Sequence, residues 1–211
     1  MQCTFFSAEN FDRNTTACVI YLHGNAGSRI EALTVFNYLL PKTALFCFDF
    51  IGAGKSDGEF VTLGVQEAND LVLIVDYVRN TLGITKIGLW GRSMGAATAI
   101  NYCANYNNDK AVSVVACDSA FMKLETLLEE IGKERTKIPG LLLDPILALI
   151  KSKISSKLNG LDIFSLDMLQ CVQKITSVKG MIFACTPTDS VIQSHHTIEL
   201  YNAYKGDKEI V

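Results

Sequence analysis

The chain alternates between continuous apolar runs and segments in which apolar residues recur every three or four positions. The apolar runs, rich in β-branched and aromatic residues, predict buried strands at 17–22, 44–50, 87–90, 111–117 and 180–185, with another opening at 208. The periodic segments predict helices at 28–40, 64–82 and 194–204. The spacing in the first helix runs through Ile30, Leu33, Phe36 and Leu40. This alternation predicts a mostly parallel sheet with helices on both faces, which binds ligands at the carboxyl ends of its strands.

Residues 119–178 depart from this alternation. They contain no good strand, and helical stretches are predicted at about 122–134, 144–158 and 165–174. Within a single domain over 1–211, this insertion could fold over the sheet edge as a lid. Its apolar residues could then line an acyl pocket: Leu141, Leu142, Leu143, Ile146, Leu149, Ile150 and Ile154. A helical layer that only buries these residues on the sheet fits the pattern equally well.

Composition narrows the choice of partners. The 211 residues are 49% hydrophobic and 19% charged, as expected for a globular domain with a full core. The net charge of −3 and the absence of a basic run give no reason to expect a nucleic acid or an anionic membrane surface. The longest apolar stretch, 141–150, contains Asp144 and Pro145 and is too short for a transmembrane segment.

The cysteines predict a reducing compartment. Seven is an odd number, and no C-x-x-C or His-rich pattern suggests a disulfide framework, a zinc site or another metal site. Four of them lie in apolar runs, where cysteine acts as a small buried hydrophobe: Cys18, Cys47, Cys117 and Cys185. Since the N-terminus also shows no signal peptide, we expect a cytoplasmic protein.

The segment 86–99 carries the most specific motif. An apolar strand enters Gly91-Arg92-Ser93-Met94-Gly95, and a run of small residues follows. This is the G-x-S-x-G nucleophile elbow in a strand–turn–helix context, in which Ser93 is strained and Gly91 and Gly95 avoid collisions. The backbone N–H of Met94, at a helix N-terminus, is predicted to stabilise an oxyanion beside Ser93.

A second Gly-rich turn, His23-Gly24-Asn25-Ala26-Gly27, follows the first predicted strand. Gly24 lets the backbone approach the elbow, so that the N–H of Asn25 becomes the second oxyanion donor. We expect His23 to hold this loop by hydrogen bonding rather than to take part in catalysis.

Two residues are candidates for the acid that orients a catalytic histidine. Asp189 follows the 180–185 strand, and Asp118 ends the 111–117 strand. We favour Asp189, because the loop after that later strand is the commoner position for this acid, and we interpret Asp118 as a helix cap. Asp49 also ends a strand, but the Gly-rich turn after it suggests that it only fixes that loop.

The base is not evident among the three histidines. In this arrangement the chain order is Ser, acid, His, and His23 precedes Ser93. His195 and His196 follow Asp189 by only six and seven residues, so we expect them to be structural at a helix start. The catalytic histidine is therefore expected beyond Val211.

Several stretches resemble a group of α/β-hydrolases, plant and protist proteins described as serine-aminopeptidase-like. These stretches are YLHGNAGSR (21–29), FDFIGAGKSDGEFVTLG (48–64), IGLWGRSMGA (87–96), CDSAF (117–121) and HHTIELYNAYKGDK (195–208). The resemblance implies an α/β-hydrolase fold, with Ser93 as nucleophile, Asp189 as acid and Asn25 and Met94 as oxyanion donors. It also implies a histidine soon after the strand at 208 and further strands before Met1, so that the chain looks clipped at both ends.

The predicted function is that of a serine hydrolase, an esterase, lipase or peptidase that acts on ester, thioester or amide bonds through an acyl-enzyme on Ser93. The substrate is a small molecule or an acyl compound, and the chemistry needs no cofactor. Because the histidine is missing, we expect little turnover from the 211-residue form. The alternatives are a non-catalytic hydrolase-like binding protein and an acyltransferase of the same fold.

Overall fold

The apolar runs form one seven-stranded sheet in the computed structural model, which describes residues 1–135 and 140–211. The strand order is β1-β3-β2-β4-β5-β6-β7, and every pairing is parallel except that of β1 with β3. The strands are Cys3–Phe6 (β1), Cys18–Leu22 (β2), Ala44–Phe48 (β3), Ile87–Arg92 (β4), Val112–Asp118 (β5), Gly180–Ala184 (β6) and Lys208–Ile210 (β7). The predicted mostly parallel sheet is confirmed.

Helices connect these strands where the periodicity predicts them. They are Leu33–Leu39 (α1), Glu67–Asp76 (α2), Met94–Asn105 (α3), Leu124–Arg135 (α4), Gly140–Lys157 (α5), Met168–Lys174 (α6) and Ser194–Ala203 (α7). A 3₁₀ turn over Arg29–Ala32 precedes α1, and a π-helical turn over Tyr77–Thr81 extends α2. Among the described residues, no helix has the length and apolar character that crossing a bilayer requires.

Two layers of side chains cover the sheet. The larger core lies between the sheet and α2, α3, α6 and α7, and it takes alternate residues of β2, Ile20 and Leu22. The smaller cluster, on the α1 side, contains Tyr21 from the same strand, in keeping with the two-residue repeat of a strand. Further along the sheet, Val114 and Ile182 are exposed.

The inner face of α1 differs from the prediction. Ile30 and Leu33 are exposed, whereas Ala32 and Val35 are buried against the sheet. The reason lies in the preceding 3₁₀ turn, where the carboxylate of Glu31 accepts hydrogen bonds from groups in and beside β2. Because Glu31 is turned toward the sheet, Ala32 after it and Val35 one turn later are buried. Of the four residues that the spacing selected, only Phe36 and Leu40 pack against this cluster.

The edge strand β1 was not predicted. It has only four residues, Cys3–Phe6, and it pairs antiparallel with β3, with Thr4 opposite Cys47. So short a run carries no clear periodicity, and its pairing partner lies about forty positions away.

The helices of 119–178 do not act as one layer. Helix α6 packs in the larger core through Cys171 and Val172, so it belongs to the helical layer of the sheet. In α5, Leu149 and Ile150 are exposed and Ile154 packs against the core, while the side chains of 141–143 lie outside the described residues. Helix α4 contributes the side chains nearest the candidate site.

The described part of the chain includes all seven cysteines, and each is a free thiol. Cys18, Cys47 and Cys117 are buried as predicted, whereas Cys185 is half-buried. Burial raises the pKa of Cys47 to about 11, so this thiol is protonated at neutral pH.

Candidate active site

The turn after β4 has the strained geometry that its sequence predicts. Ser93 has φ 53° and ψ −113°, a backbone conformation that residues with a side chain rarely adopt. A Cβ at Gly91 would overlap the carbonyl of Gly95, and one at Gly95 would overlap the carbonyl oxygen of Leu22. The two glycines therefore permit a reversal so sharp that α3 starts directly at Met94.

Ser93 lies at the carboxyl edge of the sheet, in a cavity of about 350 Å³. The register aligns Arg92 with Asp118, and the N–H of Ser93 donates to the Asp118 carbonyl at 2.8 Å. The polar lining comes from loops at the strand ends: Asn25, Arg92, Ser93, Ser119 and Asp189. The apolar lining comes from four residues of α4 and from flanking loops: Leu124, Leu127, Leu128, Ile131, Leu63, Phe121, Val191 and Ile192.

The apolar wall is thus supplied by α4. None of the described side chains of α5 lines this cavity, so Ile146, Leu149, Ile150 and Ile154 do not form the wall for which the sequence suggested them. The remaining members of that suggested face, 141–143, lie outside the described side chains.

The loop after β2 brings a second backbone segment to Ser93. The Gly27 N–H donates to the Gly24 carbonyl at 3.0 Å, and Ala26 has φ 59°, which together close a tight turn. His23 is fully buried beneath it, with Nδ1 2.8 Å from the Gly24 oxygen and Nε2 accepting from the Phe50 N–H at 3.2 Å. Both ring nitrogens are thereby used, which matches the structural role expected for His23.

Two backbone N–H groups at the site are available to a ligand. Within the described residues, the N–H groups of Asn25 and Met94 donate to no other protein group. Met94 begins the 12-residue helix α3, whose N-terminus favours negative charge. These are the two groups that the sequence analysis selected as oxyanion donors.

Asp189 is oriented by the backbone that follows it. Its Oδ1 accepts from the N–H of Val191 at 2.8 Å and of Ile192 at 3.0 Å, and the residue is half-buried in the cavity lining. These bonds fix the carboxylate through one oxygen.

Asp118 lies close by but in a different setting. Burial and the nearby charge of Asp189 raise the pKa of Asp118, against a hydrogen bond from the Ser119 hydroxyl and the attraction of Arg92. The interpretation of Asp118 as a helix cap is wrong, because α4 begins only at Leu124. The residues between turn sharply, with Ser119 at φ 54°, so the chain is not yet helical.

Asp49 has the loop-fixing role that was expected. Its buried carboxylate pairs with the Arg29 guanidinium and accepts from the N–H of Arg29 at 2.6 Å and of Lys55 at 2.8 Å. Burial opposes ionisation, but these donors outweigh it and lower the pKa of Asp49. A Cβ at Gly54 would overlap this carboxylate, which explains the glycine.

His195 and His196 begin α7 and do not line the cavity. Their Nε2 atoms lie 3.1 and 2.8 Å from the two oxygens of Glu130 on α4. Nδ1 of His196 accepts from the Met122 N–H at 3.3 Å, so the proton of neutral His196 is on Nε2, facing Glu130. Burial lowers the pKa of His196, although Glu130 opposes this.

The same three residues have the ligand types of a metal site. Their ligand atoms lie within 4.8 Å of one another. A cation at Nε2 of His196 would require the proton to move to Nδ1, where it would meet the Met122 N–H. The arrangement therefore fits a hydrogen-bonded link between α4 and α7 better than a metal centre.

Comparison with known proteins assigns the family. The family model described as alpha/beta hydrolase fold matches residues 18–140, more than half of the chain. The chain belongs to the α/β-hydrolase fold family. The matched region contains both the elbow and the Gly-rich loop after β2.

Curated relatives of this α/β-hydrolase match only in part. An uncharacterized protein R595 of Acanthamoeba polyphaga mimivirus is 32% identical over 99 residues, covering 46% of this chain and 34% of that protein. Lysophosphatidylserine lipase ABHD12 of Danio rerio is 29% identical over 86 residues, covering 39% of this chain and 22% of the relative. The chain spans less than half the length of these relatives.

Solved structures share the α/β-hydrolase fold over nearly the whole chain. The Pyrococcus furiosus esterase Pf2001 superposes with a TM-score of 0.70 at 23% identity, over 94% of this chain and 75% of that one. The monoacylglycerol lipase of Paleococcus ferrophilus gives 0.68 at 20% identity, over 99% and 86%. At these identities the likeness shows the fold alone.

One charged pair at this α/β-hydrolase site was missed by the sequence analysis. The Glu31 carboxylate accepts from Arg92 Nε at 2.7 Å and Nη2 at 3.2 Å, from the Tyr21 hydroxyl at 2.9 Å and from the Gly24 N–H at 3.3 Å. A glutamate in an amphipathic segment is normally assigned to the solvent face. The signal in the sequence that pointed to this pair was Arg92, a charged residue next to Ser93 in the elbow.

Proposed function

We propose that the protein is a serine hydrolase that acts on ester, thioester or amide bonds through an acyl-enzyme on Ser93. The observation that carries this proposal is the position of Ser93, held in a strained turn beside two unused N–H donors at a partly apolar cavity. Strain of this kind, of order 1–3 kcal/mol, persists where the surrounding structure imposes it, and it concentrates at active sites.

Each polar group has a defined part in the proposed reaction. A histidine base takes the Ser93 proton as the hydroxyl oxygen attacks the carbonyl carbon, and Oδ2 of Asp189 orients that histidine. The N–H groups of Asn25 and Met94 stabilise the oxyanion, and loss of one such donor typically costs about 3 kcal/mol. The protonated leaving group departs, and water then hydrolyses the acyl-enzyme.

The base in this proposal is a histidine from outside the 211 residues. His23 has both nitrogens occupied, and His195 and His196 face Glu130 rather than the cavity. A serine hydrolase that has lost its base still accelerates the reaction roughly 10³-fold relative to water, through the oxyanion hole and substrate binding. We therefore expect the 211-residue chain to react slowly.

The cavity favours an acyl substrate. Its apolar side, from α4 and the flanking loops, suits a hydrocarbon chain, and its polar side faces the scissile carbonyl. Asp189 is the only carboxylate among the described lining residues, and two backbone N–H groups occupy one of its oxygens. The described lining therefore offers few acceptors for the free α-amine of an aminopeptidase substrate. This favours esters and thioesters over the aminopeptidase substrates that the sequence resemblance suggests.

Labelling with a fluorophosphonate probe tests the nucleophile. We expect slow, saturable labelling of the purified protein, located at Ser93 by peptide mass spectrometry, because the elbow presents this hydroxyl to the cavity. Ser93→Ala should abolish it. Ser119→Ala, which changes another serine of the cavity lining, should retain it, and equal labelling of the Ser93→Ala protein would contradict the proposal.

A second function is supported by the position of the histidines. Since none of the three lines the cavity, a protein that binds acyl compounds without cleaving them is the alternative. It predicts binding without labelling at Ser93. Rapid hydrolysis of p-nitrophenyl esters that survives His195→Ala and His196→Ala would contradict both this alternative and the expected slow reaction.

A further inference from the structure

We propose that Glu31 and Arg92 form a charge-balanced clamp that positions the two oxyanion donors relative to each other. Glu31 is then a positioning residue that acts through Gly24 and Arg92. The inference rests on the proposed function, because it concerns the same two N–H groups.

The clamp joins the two segments that carry these donors. Glu31 accepts from the N–H of Gly24, the residue before Asn25, at 3.3 Å. The same carboxylate holds the guanidinium of Arg92, which precedes Ser93 in the elbow, at 2.7 and 3.2 Å. One side chain therefore ties the loop after β2 to the turn after β4.

One glycine of the loop makes room for this clamp. A Cβ at Gly27 would overlap Oε2 of Glu31 and the carbonyl oxygen of Gly24, whereas one at Gly24 would lie 3.4 Å from Nη2 of Arg92, an ordinary contact. Gly27 has no positive φ, so close approach to the Glu31 carboxylate and to the turn's own backbone, rather than backbone conformation, accounts for this glycine.

The charge of Glu31 has to be neutralised at this place. A carboxylate next to an oxyanion site opposes the negative charge that the site must stabilise. The side chain of Glu31 is only 14% exposed, so water screens it poorly. Burial would raise the pKa of Glu31, but the bonds from Arg92 and Tyr21 outweigh it and keep the group ionised. Asp118 and Asp189 add further negative charge nearby, and among the described residues that line the cavity Arg92 is the balancing cation.

This account makes opposite predictions for single and double variants. Arg92→Gln leaves the Glu31 charge unbalanced, so an anion at the site should bind more weakly. Adding Glu31→Gln removes that charge, so anion binding should recover. Glu31→Gln alone should loosen the loop, because a weaker acceptor then faces the Gly24 N–H.

The first measurement compares two probes of the same size, octane-1-sulfonate and the neutral octane-1-sulfonamide. Their dissociation constants are determined by calorimetry for the wild type and the variants, and neither probe needs a catalytic base. For Arg92→Gln we expect the sulfonate to bind about fivefold more weakly while the sulfonamide is unchanged, because only the anion senses the unbalanced carboxylate. We call the dissociation constant of the sulfonate divided by that of the sulfonamide the probe ratio. In the double variant, the probe ratio should return to within about twofold of its wild-type value.

The second measurement is amide hydrogen exchange of the segment 24–27, followed by mass spectrometry. Glu31→Gln should speed exchange there and leave the strands unchanged. Arg79→Gln is the matched control, because the exposed Arg79–Asp109 pair is also an arginine–carboxylate bridge and lies outside the cavity lining. It should change neither the probe ratio nor the exchange of this loop.

Three results would overturn the clamp: equal weakening of both probes by Arg92→Gln, failure of the double variant to recover, or unchanged loop exchange in Glu31→Gln. Failure of the wild type to bind the sulfonate would overturn it as well, since the loop would then favour no anion. Ser93→Ala retains the clamp and should keep the probe ratio. Loss of labelling in that variant therefore reports on the proposed reaction independently of Glu31.

Discussion

At the scale of single residues, the site depends on where side chains are missing as much as on where they are present. Ser93 keeps its strained conformation because Gly91 and Gly95 let the turn close against β2. The need for these glycines could be predicted from the sequence, since the spacing of the motif implies the geometry. Glu31 could not be predicted, because its partner Arg92 lies 61 positions away and no local pattern connects them.

Gly95→Ala tests the closeness of this packing. The added methyl group would overlap the carbonyl oxygens of Leu22 and His23, so we expect the free energy of unfolding to fall by about 1–3 kcal/mol or more. Urea denaturation followed by circular dichroism measures it.

Gly180→Ala serves as the control for that substitution. Gly180 is also close to a strand end, but its nearest neighbour for a Cβ is at 3.4 Å, an ordinary contact. A loss of stability at Gly180 as large as at Gly95 would show that the elbow is not specially crowded.

At the scale of elements, the helix that lines the cavity is α4, and α7 holds it in place. Periodicity predicted both helices, but it could not say which helix of 119–178 would face Ser93. The deciding contacts are between elements: His196 on α7 accepts from the Met122 N–H and donates to Glu130. Such contacts depend on how helices pack, and the sequence of one helix does not specify which helix packs against it.

The stability of this link should depend on pH through His196. Burial lowers the pKa of His196 below its ordinary value of 6.5, so the unfolded chain binds more protons than the folded protein in this range. Its contribution is present above pH 6.5 and is lost as the pH falls through the folded pKa. We expect the melting temperature to fall between pH 7.5 and 5.5, with a smaller fall in His196→Gln, measured at constant ionic strength.

His195→Gln is the comparison for this effect. His195 is adjacent and also faces Glu130, but its side chain is 43% exposed, so it is far less desolvated than fully buried His196. This variant should keep most of the wild-type pH dependence. An unchanged pH dependence in His196→Gln would show that groups other than His196 cause the fall; Asp118 is not among them, because its raised pKa makes the folded protein bind protons more readily and opposes such a fall.

At the scale of the whole molecule, the sheet order makes the site. Parallel pairing of β2, β4, β5 and β6 places four chain reversals at one edge, so residues from Gly24 to Asp189 share a cavity. The number of apolar runs predicted the strands but not their order. It also gave no sign of β1, which extends the sheet antiparallel at its edge.

The prediction of a single domain over 1–211 implies that the protein unfolds in one step. Trp90, the only tryptophan, lies next to the α1-side cluster, and its fluorescence reports on the centre of the sheet. Far-ultraviolet circular dichroism reports on all the helices, including α4 and α5. We expect the two signals to follow the same urea transition, because α4 and α6 share buried contacts with the sheet. A separate transition in circular dichroism would indicate that part of 119–178 unfolds independently.

The sequence by itself determined the sheet and helix alternation, the elbow with its two glycines, and the polar residues that follow the strands. These features depend on local rules. Buried positions recur every two residues in a strand and every three to four residues in a helix, and a sharp turn excludes side chains. The tertiary structure alone decided the inward face of α1, the choice of α4 as the cavity wall and the pairing of Glu31 with Arg92. Each of these depends on contacts between segments far apart in the chain, where geometry and desolvation outweigh local preference.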